Sequence, residues 1–210
     1  YEKKQKEGLE QLGMMMNGVW DRDPKRLGFV LSRYKFVSKM FEAKKNVLEV
    51  GCGDAWASRI VSQTVGKLTV SDFDPLFIED LKSRHNKKWK FDSFLCDFTK
   101  SSSETKFDAI YLLDVFEHIN KSKEINFIDN IKNSLTEKGS VIIGMPSIES
   151  QEIIPFDKRD PGHVNCKSGV ELRTFLEGFF PNVFLFSMND EVVHTGHTKM
   201  SHYLLALCCM

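Results

Sequence analysis

Hydrophobic and polar positions along the chain follow two alternating rhythms. Leu27, Val30, Leu31, Tyr34, Val37, Met40 and Phe41 recur at intervals of three and four, which predicts an amphipathic helix opened by Asp23-Pro24. Short apolar runs follow: NVLEV (46–50), KLTVS (67–71), a segment near 90–96, FDAIYLLD (107–114) and SVIIGM (140–145). Runs of this kind suit strands covered on both faces. Helical patterns separate them at 55–65, 75–84 and 123–135. After Pro146 comes a polar stretch, a helix over 168–178, and runs at 182–188 and 200–208 that read as a terminal antiparallel hairpin. Strand and helix in turn predict an α/β fold, a Rossmann-like three-layer sandwich on a mostly parallel sheet. Without repeats or linker-like tracts, the reading is a single domain over 1–210: N-terminal helices in 1–44, an alternating core in 45–146, and a polar loop with the hairpin in 147–210.

A length of 210 residues suits one elaborated domain, and 41% hydrophobic with 28% charged residues is ordinary for a globular chain. Lys and Arg (29) balance Asp and Glu (29), so no global field attracts nucleic acid or an anionic membrane. The basic run KSRHNKKWK (82–90) reads as a solvated helix end rather than an RNA contact. The longest apolar stretches, such as 203–209, fall short of a membrane span, and the opening YEKKQKEGLE is too polar for a signal peptide. Cys52, Cys96, Cys166, Cys208 and Cys209 show no Cys-x-x-Cys spacing, which argues against a disulfide framework or a zinc site and for a reducing cytoplasm.

The candidate chemistry begins where the first strand runs into Gly51-Cys52-Gly53, glycines being suited to close backbone approach by a ligand. A dinucleotide site wants Gly or Ala three residues after Gly53, where this chain has Trp56. Glu49 also lies at the strand end, where it repels a pyrophosphate and attracts a cation. S-adenosylmethionine, with an ammonium, a sulfonium and no phosphate, suits that carboxylate. Asp72, 19 residues after Gly53 at the end of the second strand, is placed to accept from two ribose hydroxyls, with Phe73 beside it to cover an adenine. Asp97 and Phe98 follow the third strand, suited to the adenine amine and ring, and Asp114 ends the fourth. Each Asp also suits a turn or helix cap, but four acidic positions at strand ends in register favour a site.

Glu49-x-Gly51-x-Gly53, Asp72, Asp97 and DAIYLLDVFEHI (108–119) together resemble the class I S-adenosylmethionine-dependent methyltransferase family over residues 28–146. The resemblance implies a seven-stranded sheet in the order 3-2-1-4-5-7-6 with an antiparallel last strand, and S-adenosylhomocysteine as product. Ala55 stands where a third glycine is frequent in the family. In related enzymes the leading helix lids the cofactor, which implies roles for Trp20, Arg33 and Tyr34, the Tyr34 hydroxyl reaching the cofactor carboxylate.

Methyl transfer is an in-line displacement at the sulfonium carbon, so alignment and water exclusion matter most. His118, expected one helical turn after Asp114, is the candidate base. Asp114, Glu117 and His118 share i, i+3, i+4 spacing, which on a helix gathers them on one face, and they resemble the acid-x-x-Glu-His motif of ubiquinone-pathway O-methyltransferases, where a divalent ion can bind. Three ligands suit Mg²⁺ weakly, so the expectation is an enzyme without metal. Polar loops at 157–169 and 191–203 gather Arg159, His163 and His194, suited to a phosphate, nucleotide-linked sugar or carboxylate. These segments resemble those of bacterial methyltransferases with surface-polysaccharide roles, which implies a small-molecule or glycan acceptor, phosphoramidate-type decorations included. The reading is an O-methyltransferase. The rivals are an NAD-dependent enzyme, an RNA methyltransferase and a silent cofactor-binding partner.

Overall fold

The computed structural model describes residues 2–84, 88–89 and 91–210. The centre of the basic run at 82–90 therefore lies outside the described residues.

Eight strands form one sheet: β1 (Asn46–Val50), β2 (Lys67–Asp72), β3 (Asp92–Leu95), β4 (Phe107–Leu113), β5 (Leu135–Pro146), β6 (Asn182–Asn189), β7 (Val192–His194) and β8 (Tyr203–Cys209). The helices are α1 (Glu2–Glu7), α2 (Met14–Arg22), α3 (Lys25–Met40), α4 (Ser58–Ser62), α5 (Pro75–Ser83), α6 (Glu124–Asn133), α7 (Ile148–Ile153) and α8 (Gly169–Glu177). Strand order is β3-β2-β1-β4-β5-β8-β6-β7. The first five strands run parallel, and β8 lies antiparallel between β5 and β6. The expected seven-strand order is present, with β7 added as an eighth strand at the β6 edge.

Alternation along the central strands builds the layers. Leu48 and Val50, Ile110 and Leu112, and Val141 and Ile143 pack with Phe127, Ile128 and Ile131 of α6 and Leu172 and Leu176 of α8. Val47, Ala109, Tyr111 and Ile142 face the other way, toward Val37 and Phe41, Val61, Ile78 and Leu81. Burial on both faces explains why these strands read as continuous apolar runs.

Local signals account for the helix starts. Asp74 caps α5 by accepting from the Leu76 N–H, with Pro75 in the first turn. Ser168 and Glu171 form a capping box at α8. One expected helix contracts. The pattern at 55–65 predicts three turns, but only Ser58–Ser62 is helical, because Ala55 takes the left-handed conformation at φ 49°. No helix among the described residues is long and apolar enough to cross a membrane.

Candidate active site

The carboxyl ends of β1, β2, β4 and β5 meet the turn after β1. The Gly51 and Cys52 N–H groups donate to the Ser71 carbonyl at 2.8 and 3.0 Å, folding the turn toward β2. Gly53 N–H donates to Asp72 Oδ2 at 2.9 Å, while Asp72 Oδ1 accepts from Asp74 N–H at 3.0 Å. Burial pushes the Asp72 carboxyl up from its ordinary value, against those backbone donors. Gly51 and Gly53 have φ of 70° and 51°, and a Cβ on Gly51 would stand 2.4 Å from Val115 Cγ2. Only glycine satisfies both conditions.

Glu49 lies beneath this turn, fully buried. Its Oε1 accepts from the Tyr34 hydroxyl at 2.6 Å, and its Oε2 from Ser58 and Tyr111 at 2.5 and 2.7 Å. Burial pushes its carboxyl up to about 7, with the three hydroxyls acting in the opposite direction. It therefore pins α3, α4 and β4 to β1. The Tyr34 hydroxyl, expected on a cofactor carboxylate, is spent on Glu49.

At the carboxyl ends of β2 and β3, Phe73 is 70% exposed. Phe98 is not: it is 2% exposed in the core, its carbonyl held by Asn130 Nδ2. Asp97 accepts from the Thr99 N–H and hydroxyl and pairs with Lys100, the geometry of a turn former. Cys52 is buried and its thiol is pushed far up by burial.

The sequence pattern also misses how the N-terminal segment is tied to the glycine turn. Asp54 Oδ2 caps α2 by accepting from the Met16 N–H at 2.9 Å, Arg59 pairs with Glu10 at 2.6 Å, and Met15 Sδ rests against Gly53. Asp54 inside the glycine turn was the available signal, since Asp is a favoured cap.

At β4 the expected helix face does not form. Asp114 ends the strand in the left-handed region at φ 56°, and Phe116–His118 make a single 3-10 turn. Asp114 therefore leaves the set, while Glu117 and His118 keep one ligand atom each within 4.8 Å of the other's. Asp114 turns outward and accepts from Arg33 Nη1 at 2.6 Å, the guanidinium lying 3.7 Å over the Tyr203 ring. Glu117 is fully buried with neither carboxylate oxygen hydrogen-bonded. Burial, reinforced by the Asp114 charge, pushes its carboxyl well above the usual range. His118 is exposed, its Nδ1 bonded to the Gly162 carbonyl at 2.9 Å.

That contact shows how the loop after β5 folds back. Asn165 N–H donates to the Glu117 carbonyl, while Asn165 Nδ2 and Lys167 Nζ both donate to Glu124 Oε2, at 2.9 and 2.8 Å. Lys167, buried beside the Phe175 ring, anchors the loop's end and delivers His163 to within 5.0 Å of the His118 ring. Burial and the neighbouring His118 lower the His163 pKa. Two other expected acceptor contacts are engaged elsewhere. Arg159 donates to the Ile154 and Glu152 carbonyls. His194 accepts from the Gly196 N–H at Nδ1 and meets Asn189 Oδ1 at Nε2, bracing the turn after β7.

A family model described as a methyltransferase domain matches residues 22–179, about three quarters of the chain. The chain belongs to the class I S-adenosylmethionine-dependent methyltransferase family. A search of curated proteins finds no match. Among solved structures, the methyltransferase is similar to the N-methyltransferase NodS from Bradyrhizobium japonicum WM9 in complex with S-adenosyl-l-homocysteine, at 21% identity and TM-score 0.62, covering 90% of this chain and 89% of that one. It is also similar to an S-adenosylmethionine-dependent methyltransferase from Clostridium acetobutylicum ATCC 824, at 11% identity and TM-score 0.70, covering 93% and 98%. The plantazolicin methyltransferase BpumL in complex with SAH aligns at 14% identity and TM-score 0.67, covering 93% and 88%.

Proposed function

We propose that this methyltransferase binds S-adenosylmethionine across the turn at Gly51–Gly53 and methylates an oxygen of a small-molecule acceptor held between the 116–118 turn and the 147–168 loop. The observation that carries the reading is Asp72: its carboxylate is locked to the glycine turn by the Gly53 N–H, and its remaining lone pairs are left for ribose hydroxyls. The residues around the turn suit this cofactor, since Glu49, Asp54 and Asp72 are acidic and favour a cation over a phosphate. Phe73 covers the adenine.

The cofactor supplies an electrophilic methyl on a sulfonium, and the protein supplies position. Glu49 reaches the turn only through the field of its buried carboxylate, because its oxygens already accept from three hydroxyls. His118 faces the acceptor side. Since the Gly162 carbonyl can only accept, Nδ1 carries the ring proton and Nε2 presents the lone pair that takes the acceptor's proton. The acceptor oxygen bonds the methyl carbon as the carbon–sulfur bond breaks, and S-adenosylhomocysteine leaves. Similarity of the C-terminal segments to surface-polysaccharide methyltransferases favours a sugar, nucleotide-linked or phospho(amidate) acceptor, with His163 at its edge.

Calorimetric titration with S-adenosylmethionine and S-adenosylhomocysteine tests the cofactor assignment. Micromolar binding is expected, followed by methyl transfer in a screen of sugar and sugar-phosphate acceptors. Absence of binding by the folded protein would overturn it.

A further inference from the structure

We infer that a cavity at the β2 and β3 margin of the sheet, apart from the methyl-transfer site, binds a neutral sugar ring. The cavity arises from the topology. Parallel strands are ordinarily joined by a crossover helix that covers one face of the sheet. Residues 96–106 join β3 to β4 without one. On one face Leu68 and Val70 of β2 pack with Ile78 and Leu81 of α5. On the other, where α6 and α8 cover the central strands, the link leaves a space of about 450 Å³ against β2 and β3. Small-molecule sites span about 300–1,000 Å³.

The lining fixes the kind of ligand. Phe94 and Phe107, both packed on the main core, give the cavity an apolar side. Thr69, Ser102, Thr105 and Glu104 also line it, and none of these four side chains bonds to another described residue. The loop that carries three of them is held in place: Thr105 N–H donates to Ser103 Oγ at 3.1 Å, and Ser103 N–H to Ser134 Oγ at 2.9 Å. Groups fixed in advance spare a ligand the cost of ordering them. Lys67 and Asp92 pair at 2.6 Å and cancel, which leaves the Glu104 carboxylate as the net charge of the lining. That carboxylate repels a phosphate or a carboxylic acid and accepts from a ligand hydroxyl. The three protein hydroxyls both donate and accept. A sugar, with C–H groups across its ring face and hydroxyls at its edge, meets both halves of the lining.

An apolar helix from another chain fits this space poorly, because it would bury the Lys67–Asp92 pair and four polar side chains without supplying partners. The cavity is also displaced from the methyl-transfer site. Lys67, Asp92 and Phe107 begin their strands, whereas Asp72, the glycine turn and Asp114 stand at strand ends. Thr69 lies three residues before Asp72, about 10 Å along the strand. A sugar held beside Thr69 therefore leaves the place of the cofactor open. Cys96 lines the same cavity and is partly exposed, so its thiol reports on whether the space is filled.

The test is saturation-transfer NMR on the full chain with D-glucose, D-galactose and N-acetyl-D-glucosamine, without cofactor, so that its outcome is independent of the methyl-transfer reading. At least one of these sugars is expected to bind with a Kd of about millimolar, the strength of a small ring held by a few hydrogen bonds. At saturation it should slow iodoacetamide labelling of Cys96 at least threefold, read by peptide mass spectrometry. The Thr69→Val/Thr105→Val double variant should bind it at least fivefold more weakly, and His118→Ala as the parent does. Circular dichroism checks that each variant is folded, and should the double variant fail to fold, the loop variant Ser102→Ala takes its place. No binding of any of the sugars at about 50 mM, well above that Kd, would overturn the assignment. So would binding that leaves Cys96 labelling unchanged, or binding lost in His118→Ala and kept in the cavity variants, which would be acceptor binding at the methyl-transfer site.

Discussion

Replacing Glu49 by glutamine separates the buried carboxylate's charge from its shape. The ordinary value of this carboxyl is 4.5, and the fold holds it at about 7. Between those values the folded chain keeps a proton that the unfolded chain releases, so the contribution of Glu49 to stability declines as pH rises and levels off above about 7. At about 1.4 kcal/mol per tenfold change, integration from pH 5 to pH 8 gives a loss of about 2–3 kcal/mol. Glutamine cannot ionise, so Glu49→Gln escapes that decline, whatever fixed amount it loses by rearranging the bonds to Tyr34, Ser58 and Tyr111. Urea unfolding of parent and variant, followed by tryptophan fluorescence at each pH unit from 5 to 8, measures the difference directly. The stability of the variant relative to the parent should rise by about 2–3 kcal/mol across that range. Two parallel curves would refute the claim that burial raises this carboxyl to about 7.

Asp72→Ala should weaken S-adenosylmethionine binding at least tenfold by calorimetry, and an unchanged affinity would remove the ribose assignment. Ala55→Gly should stabilise the protein by about 1 kcal/mol in chemical denaturation, because the alanine sits at φ 49° where only glycine is unstrained. Lys167→Met should cost about 3 kcal/mol, since Glu124 loses its buried cationic partner. The same change should raise protease sensitivity within residues 150–165, which a limited digest read by mass spectrometry would report.

The parallel core was legible because its strands are buried on both faces and its helices announce their starts, as Asp74-Pro75 and Ser168-x-x-Glu171 do. The glycine turn and Asp72 were legible because the backbone geometry there demands particular residues at fixed spacing. Other features depend on partners distant in sequence. Glu49 reads as an exposed ligand group until Tyr34 and Tyr111 converge on it, and Phe98 reads as an adenine cover until α6 packs against it. The Asp-x-x-Glu-His spacing assumed a helix, and the left-handed Asp114 broke that assumption. His163 could not be tied to His118 from sequence, because the link runs through the Glu124–Lys167 anchor, 43 residues apart.

The eighth strand also bears on how this protein behaves in concentrated solution. β7 pairs only with Ser187, Met188 and Asn189, so the first five residues of β6, Asn182 to Phe186, carry a ladder on one side alone. That stretch reads NVFLF, uncharged and rich in β-formers, with Phe184 half exposed. Such an edge is a template for a further strand from another chain, and nature commonly guards such edges with lysine or proline. Among the described residues the guard along this ladder is the short β7 flap, so aggregation under stress should begin at this margin, and Phe184→Lys would blunt it without touching the glycine turn.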